Sequence, residues 1–557
     1  MFKYQLIPNT FNPKCVNMRS IIILTCAAMF TLLNQITVQA QTDLPGGKVE
    51  VVKSFDARLA ETDKIRINAP VPQPDTSSNR YQYDAMETDI KMEYEAPTIR
   101  PLAMRADKLP PVYKGFAKAG VGFPLSPYAE GSYYHDADNF NILGHIRHHS
   151  ANDSRRENQR FMENDFMLRG NYYFEQGIGV GARTNYSLDD FYFYGYDQAD
   201  TTFLPQYARR RFKTFDLGLS VFNVENADSD LNYWGKADFY THRDDLETPG
   251  SDTGTLLNFG IKKYLQGKHP VSAEIITDMS SYTDTATYRL NNFFFIPSAA
   301  YIGDMFSAKA AVRIASHNDE FFFLPDLQVA VNLAEGKFRV QAGWDANLYK
   351  NSFRNLTDYN PFLAPILPAL QNAKFDDFYA AIGGVAGNWN YELRGGYKPT
   401  SNMALYLPTT GDPTRFSVIY DTVNIVYAKL NLHTTIQQNL TVGLSAGYNH
   451  FSPSVQEEAW QIPALETNLS LVYRALDNKL RLRGEMYFTG GVPVLTPENE
   501  KETLNALFDV SLGADYMFSE KFGLFLNLNN LASNRWRRWF NYPTYGINVL
   551  GGLIVRF

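Results

Sequence analysis

The C-terminal segment, residues 546–557, constrains the fold of this chain more than any other stretch. Its odd-numbered positions are apolar or glycine, whereas its even-numbered positions include Asn548 and Arg556. Alternation with a period of two is typical of a β-strand with one apolar and one wetter face. The sequence then stops at Phe557. An apolar strand followed at once by a terminal carboxylate suits an outer-membrane barrel, whose last strand closes against the first. A terminal strand of a soluble β protein is the alternative.

The same alternation continues from Val112 to the end of the chain. In residues 508–516, for example, Phe508 and Tyr516 share one face while Asp509 and Asp515 share the other. A soluble β-sandwich would bury the apolar face, whereas a barrel in lipid turns it outward and keeps the polar face in its lumen. Alternation alone does not separate these two architectures.

The lengths of the connections favour the barrel, because short and long ones alternate as periplasmic turns and extracellular loops do. Short turns are predicted at 136–139, 175–177, 226–230, 266–270, 303–307, 335–337, 387–390, 437–439, 476–478 and 519–521, and long loops at 150–164, 189–211, 350–373, 400–414, 451–461 and 490–502. We therefore predict an all-β fold, a transmembrane antiparallel β-barrel of about 22 strands over residues 112–557. Segments near 290–335 and 400–435 are the ambiguous ones. A barrel of this size encloses a lumen too wide for side chains alone to fill.

The first 40 residues have the pattern of a secretory signal. From Met18, the expected start, a basic Arg19 precedes an apolar run and a Val-Gln-Ala sequence that predicts cleavage after Ala40. A retained helical anchor is less favoured, because the apolar run is shorter than the roughly 20 residues that a membrane span needs. Both cysteines lie in the removed part, so the mature chain has no thiol. The formal net charge of −7 gives no reason to expect a nucleic-acid partner.

Residues 41–111 differ in composition from the remainder of the mature chain. They are rich in proline and charge and show little periodicity, which predicts a mostly extended periplasmic segment. Within it, Val49, Val51 and Val52 form a strand-like piece. Such a piece would pair with a periplasmic partner protein or lie on the barrel rim.

The run from Asn529 to Phe557 resembles the end of TonB-dependent outer-membrane receptors. The resemblance is carried by Asn530-Leu531, Trp536, Trp539, Tyr542-Pro543 and Gly546-Ile547-Asn548. It implies the same barrel over residues 112–557, and it makes Phe557 the signal that the barrel-assembly machinery recognises. Those receptors also hold a folded plug domain inside the barrel. Residues 41–111 show no plug-like pattern, so the chain resembles receptor-like barrels that lack a plug, and this resemblance does not imply uptake driven by TonB.

Two groups of aromatic and charged residues are candidate extracellular contacts for a ligand or a protein partner. They are Tyr192, Tyr194 and Tyr196 in one loop, and Arg535, Trp536, Arg537 and Trp539 in another. Aromatic girdle residues at the membrane surface are the alternative interpretation. A third loop, Asn355–Leu370, is apolar enough to fold inward or to contact a partner.

No pattern of residues points to catalysis, a metal or a cofactor. His145, Arg147 and His149 are expected to share the lumen face, where a metal or anion site competes with ordinary lumen polarity. The glycines at 177, 179 and 181 lie within a strand, where a nucleotide loop is not expected.

The sequence thus predicts an integral outer-membrane protein that contacts lipid and the assembly machinery. Two functions remain open: passage of an unknown solute across the outer membrane, or a scaffold or assembly and export component that binds other envelope proteins. An enzyme is a distant third.

Overall fold

The structure, a computed structural model, describes residues 113–198, 208–223, 230–317, 320–334 and 337–557. The predicted signal peptide, the proline-rich segment and the strand-like Val49, Val51 and Val52 lie outside the described residues and stay predictions.

The described chain consists almost entirely of β-strands. The elements are β1 (Gly115–Phe123), β2 (Ser126–Asp136), β3 (Phe140–Asn152), β4 (Arg160–Tyr173), β5 (Ile178–Tyr192), β6 (Arg209–Asn223), β7 (Leu231–Arg243), β8 (Ser251–Leu265), β9 (His269–Thr283), β10 (Thr287–Ile302), β11 (Phe306–His317), β12 (Glu320–Leu333), β13 (Phe338–Lys350), helix α1 (Phe353–Tyr359), β14 (Asn372–Ala386), β15 (Trp389–Thr409), β16 (Asp412–Ile436), β17 (Leu440–Pro453), β18 (Leu465–Ala475), β19 (Leu480–Thr489), β20 (Pro493–Leu495), β21 (Lys501–Thr503), β22 (Leu507–Met517), β23 (Phe522–Asn529), β24 (Arg537–Trp539), β25 (Tyr542–Pro543) and β26 (Asn548–Arg556). Among the described residues, no helix is both long and apolar enough to cross a membrane.

Twenty-two of these strands form one antiparallel sheet that closes on itself. Strand β1 pairs with β2 on one side and with β26 on the other, with Phe116 opposite Arg556 and Phe123 opposite Val549. The short pairs β20–β21 and β24–β25 lie outside this sheet, within two of the loops. Closure satisfies the backbone groups of every edge, as a bilayer demands. The predicted fold class and strand number are confirmed.

The apolar face of the strands points outward. In β23, Phe522, Leu524 and Leu526 are 50%, 48% and 44% exposed, whereas Phe525 between them is 5% exposed. The same alternation places Leu512 and Tyr516 of β22 on the outer surface. An exterior covered by large apolar side chains is stable against lipid and not against water.

The inner face carries charges that are paired between strands one or two places apart in the sheet. Salt bridges join Arg147 to Asp165, Arg183 to Asp238, Arg313 to Asp345, Arg394 to Asp377 and Arg483 to Asp515, at 2.7, 2.8, 2.7, 2.7 and 3.1 Å. The sequence pattern predicts Asp515 on this face. The lumen wall is therefore a fixed pattern of positive and negative groups.

Short turns lie at the end of the barrel that holds both the start of β1 and the end of β26. The longer loops lie at the other end, together with a few short connections such as those between β1 and β2 and between β15 and β16. By the usual asymmetry of such barrels the long loops are extracellular. The predicted long loop at 400–414 is wrong, because β15 and β16 continue as a hairpin to Thr409 and Asp412. A register shift between Thr400 and Met403, with Asn402 at φ 55°, absorbs the extra residues and keeps this polar stretch in the ladder.

Candidate functional site

The connection between β13 and β14, residues 351–371, is here called the inward segment. It opens with Ser352, whose side chain caps α1 by accepting the Asn355 N–H at 3.2 Å. Phe353, Leu356 and Thr357 are buried at the spacing of one helix face. The sequence predicts that Asn355–Leu370 folds inward or contacts a partner, and its contacts support the first alternative.

The inward segment is bound to strands from widely separated parts of the barrel wall. Arg354 forms a 2.6 Å ion pair with Asp216 of β6, and Thr357 lies 3.0 Å from the His242 ring of β7. Farther along, Ala364 donates its N–H to the Phe416 carbonyl of β16 at 2.8 Å. A segment that leaves β13 and returns to β14 makes all these contacts only by crossing the extracellular mouth.

Arg210 of β6 is the most buried charged anchor of the inward segment. Its guanidinium donates to Asp244 at 2.9 and 2.6 Å and to the carbonyls of Pro361 and Leu363 at 3.1 and 2.8 Å. Both members of the ion pair are almost fully shielded, with side chains 1% and 0% exposed. The ring of Phe212 lies 4.7 Å from the guanidinium. One side chain therefore joins β6, the loop after β7 and the inward segment.

Around the inward segment, apolar side chains from several extracellular loops form one buried cluster, here called the cap. Its members are Phe193, Phe212, Leu246, Tyr282, Leu290, Phe353, Leu356, Phe362, Leu363, Leu367, Leu370, Tyr406, Phe416, Val418, Val492, Val494, Leu504, Leu507, Trp536, Trp539, Phe540 and Tyr542. Phe362 and Tyr542 stack with their ring centroids 3.7 Å apart. Burial raises the pKa of Tyr542, which stays protonated and donates to the Thr414 carbonyl at 2.5 Å.

Within the cap and beside it lie buried polar atoms that have no hydrogen-bond partner in the described structure. They are Trp536 Nε1, Gln461 Nε2 and Asn360 Nδ2. Each unsatisfied buried donor costs about 1–3 kcal/mol. The cap is thus densely packed but incompletely satisfied, a combination that suits an element required to open.

Members of both predicted groups of contact residues lie in the cap or against it. Trp536, Trp539 and Tyr196 are buried, and Tyr194 lies 4.9 Å from Tyr542, ring to ring. Tyr192 lies under the Arg160 guanidinium at 4.1 Å. Arg537 is paired with Glu502 at 2.8 Å, and Arg535 is exposed.

Sequence reasoning missed Arg210 as an anchor of the inward segment, and Phe362 and Tyr542 as cap residues. Arg210 lies in a run of three arginines, a pattern that indicates a charge cluster exposed to solvent. Its neighbours Arg209 and Arg211 indeed pair with carboxylates at the rim. Its burial depends on residues more than a hundred positions away, so no local signal could have found it.

The histidine cluster on β3 has ordinary structural partners. Arg147 binds Asp165 and Glu163, and His149 packs edge-on against Phe161 with centroids 5.1 Å apart. In the described residues, no three His, Cys, Asp or Glu side chains are grouped closely enough to hold a metal ion.

At the periplasmic rim, the predicted assembly signal Phe557 extends the closing strand. Its backbone exchanges hydrogen bonds with Gly115, its ring stacks on Tyr133 with centroids 6.3 Å apart, and half of its side chain is exposed.

No protein-family model matches the sequence, and no curated protein matches it either. Solved structures do match the fold. The FrpB iron transporter from Neisseria meningitidis, F5-1 variant, superposes with a TM-score of 0.64 at 9% identity, covering 81% of this chain and 83% of its own. The Pseudomonas aeruginosa ferripyoverdine receptor bound to ferripyoverdine gives 0.60 at 11%, covering 81% and 72%. The ferric-catecholate import receptor Fiu from E. coli K12 gives 0.60 at 8%, covering 80% and 82%.

The closed sheet and its apolar exterior define an integral outer-membrane β-barrel protein. More particularly, the described chain has the 22-strand barrel fold of TonB-dependent outer-membrane receptors, as the C-terminal resemblance predicts. At about a tenth of positions identical, the likeness concerns the fold.

Proposed function

We propose that this protein mediates receptor-like passage of a solute across the outer membrane, with the inward segment and the cap acting as its extracellular gate. The observation that carries the proposal is the inward segment itself, which crosses the mouth and binds β6, β7 and β16. The proposed role is transport and not catalysis, in line with the transporters and receptors that share its fold.

The lumen wall supports passage. Its charged groups are held in salt bridges between strands, so a polar solute would meet fixed charges of both signs. Rings of charge of this kind select solutes in other membrane pores.

The cap supports gating over free diffusion. Its apolar side chains bury themselves against one another, and the Arg210–Asp244 pair fastens them to the wall. Moving the inward segment out of the mouth would therefore need binding energy from a ligand or a protein partner. Arg535, Tyr192 and Tyr194, at least partly accessible at the rim, are proposed first contacts for such a ligand, with Tyr196, Trp536, Arg537 and Trp539 responding as the cap moves.

The second candidate function is a scaffold or assembly component that binds other envelope proteins. It is favoured by the proline-rich composition of residues 41–111, which resembles a binding segment more than a plug. In either case we propose export through a signal peptide ending at Ala40, insertion by the barrel-assembly machinery through Phe557, and pairing of Val49, Val51 and Val52 with a periplasmic partner.

Planar-bilayer conductance of the purified mature protein tests the gate. We expect the wild-type barrel to be silent or to flicker, and a variant with residues 353–370 replaced by a Gly-Ser linker to give large, stable steps. Heat-modifiable migration in gels would show that both variants are folded. A silent linker variant would contradict the gate and show that something else fills the lumen.

A deletion of residues 41–111 separates the two functions. If the barrel is a gated pore, the linker variant lacking this segment still inserts and conducts. If the barrel is a scaffold, the envelope proteins that co-purify with it are lost on deletion. The conductance of the linker variant in the bilayer then does not correspond to a function in the cell.

A further inference from the structure

A cavity of about 350 Å³ lies beside the inward segment at the edge of the cap, with which it shares Leu356 and Tyr406. It is lined by helix α1, the ends of β13 and β14, and the inner face of β15 and β16. Its walls are mostly apolar and aromatic, and include Tyr349, Leu356, Phe375, Ala404 and Tyr406. This volume falls in the lower part of the roughly 300–1,000 Å³ range of small-molecule sites.

One positively charged side chain, Lys398, lines this cavity. It belongs to the inner face of β15, since Leu393 and Tyr397 of the same strand are exposed on the outer face. Its ammonium group lies 3.9 Å from the centroid of the Phe375 ring. In the described structure it makes no ion pair, whereas Arg394, four positions earlier on the same face, is paired with Asp377.

The nearest candidate partner for Lys398 is already occupied. Asp377 accepts hydrogen bonds from Arg394 and from the Tyr427 hydroxyl, both at 2.7 Å. A neutral ligand would leave the half-buried ammonium group uncompensated, and a cationic ligand would be repelled by it. An anion would instead accept hydrogen bonds from its unused donors, while the aromatic wall packs against the rest of the ligand.

We propose that this cavity binds a small aromatic carboxylate, whose ring lies among Phe375, Tyr349 and Tyr406 and whose carboxylate accepts a charge-assisted hydrogen bond from Lys398. The ligand also contacts α1 through Leu356. Helix α1 carries Arg354 and Thr357, which bind the inward segment to the barrel wall. If the inward segment is the gate proposed above, a ligand in the cavity therefore shifts the equilibrium between the closed and the open mouth.

Calorimetric titration of the full mature protein in a non-ionic detergent tests the site, with 2-naphthoate as the probe and 2-naphthamide as its neutral match. We expect the acid to bind about tenfold or more tightly than the amide. Lys398→Gln should abolish that preference, while Ala404→Phe, which fills the cavity, should abolish binding of both compounds. Lys309→Gln is the matched control, since it removes another lumen ammonium, paired at 2.6 Å with Asp326.

Several outcomes would overturn the proposal. They are equal affinity for acid and amide, no binding of either by folded wild-type protein, or binding that Lys398→Gln and Ala404→Phe leave unchanged. Decanoate is included because it has the same carboxylate as 2-naphthoate but an acyl chain in place of the aromatic ring. If decanoate binds more tightly than 2-naphthoate, the proposal that the ligand is aromatic is wrong. Binding is measured in detergent and passage in a bilayer, so the site and the proposed function can fail separately.

Discussion

Replacing Arg210 by methionine should release the inward segment without unfolding the barrel. Methionine keeps much of the apolar volume but removes the charge. The substitution leaves Asp244 buried without its cation. The carbonyls of Pro361 and Leu363 also lose the hydrogen bonds that Arg210 donates to them. The damage is confined to contacts between β6 and the loops, because the β-ladder of β6 uses only backbone atoms.

The expected cost follows from the burial of the pair. Removing one member of a buried salt bridge costs about 3–5 kcal/mol. Asp244 keeps one hydrogen bond, from the Gly250 N–H at 2.7 Å, which favours the lower end of that range. At about 1.4 kcal/mol per factor of ten, a loss of about 3 kcal/mol raises the population with an open mouth roughly a hundredfold.

The neighbouring Arg209 provides a matched control. It forms a 2.8 Å salt bridge with Asp245 in the same strand and loop, but its side chain is 45% exposed. Removing an exposed pair costs about 0–1 kcal/mol, so Arg209→Met should behave almost as the wild type.

Hydrogen–deuterium exchange of the detergent-purified protein measures how much the inward segment opens in each of the two variants. Amides of residues 351–371 should exchange much faster in Arg210→Met than in Arg209→Met, with the strands of the wall unchanged. Bilayer recordings should show long openings only in the Arg210 variant. Equal exchange in the two variants would refute the anchoring role of Arg210, and faster exchange throughout the barrel would show a global effect in place of a local one.

Two further predictions concern the rim and the cap. Phe557→Ala should lower the yield of heat-modifiable barrel in cells, whereas Phe522→Ala, which removes an equally exposed phenylalanine from the adjacent β23, should not; equal yields would remove the assembly role of Phe557. Burial raises the pKa of Tyr194 to about 12, against about 10 in an unfolded chain. The folded cap therefore holds this proton where the open form loses it, so cap stability is intact below pH ~10 and falls as the pH rises to ~12. Acrylamide quenching of tryptophan emission should rise over that window, and less so in Tyr194→Phe; an identical pH profile would count against this linkage.

Much of the barrel was predictable because its determinants are local. Each strand shows its two faces within a few residues, as Phe508 and Tyr516 opposite Asp509 and Asp515 illustrate, and the turns between strands carry their own polar composition. The even strand number followed from these segments, and the outward orientation of the apolar face followed from the barrel, which the alternation of short and long connections favoured over a soluble sandwich.

The hairpin of β15 and β16 shows where local patterns fail. The stretch 400–414 holds proline, glycine and polar residues typical of a loop. It remains in the ladder because Met403–Leu407 pairs with Ser417–Asp421 on the neighbouring strand after the register shift at Asn402. Pairing with the neighbouring strand, and not the local amino-acid composition, therefore determines the conformation of residues 400–414.

The sequence by itself indicated that this chain forms a closed membrane barrel, because short and long connections alternate between its two-faced strands and an open sheet edge is not tolerated in lipid. It also marked Asn355–Leu370 as apolar and set apart the aromatic residues of two loops. Only the tertiary structure decided that these loops converge over the mouth, that Arg210 is buried between Asp244 and the inward segment, and that Lys398 makes no ion pair within the described residues. Those facts depend on the curvature that brings distant strands face to face, and curvature arises from the closure of the whole sheet.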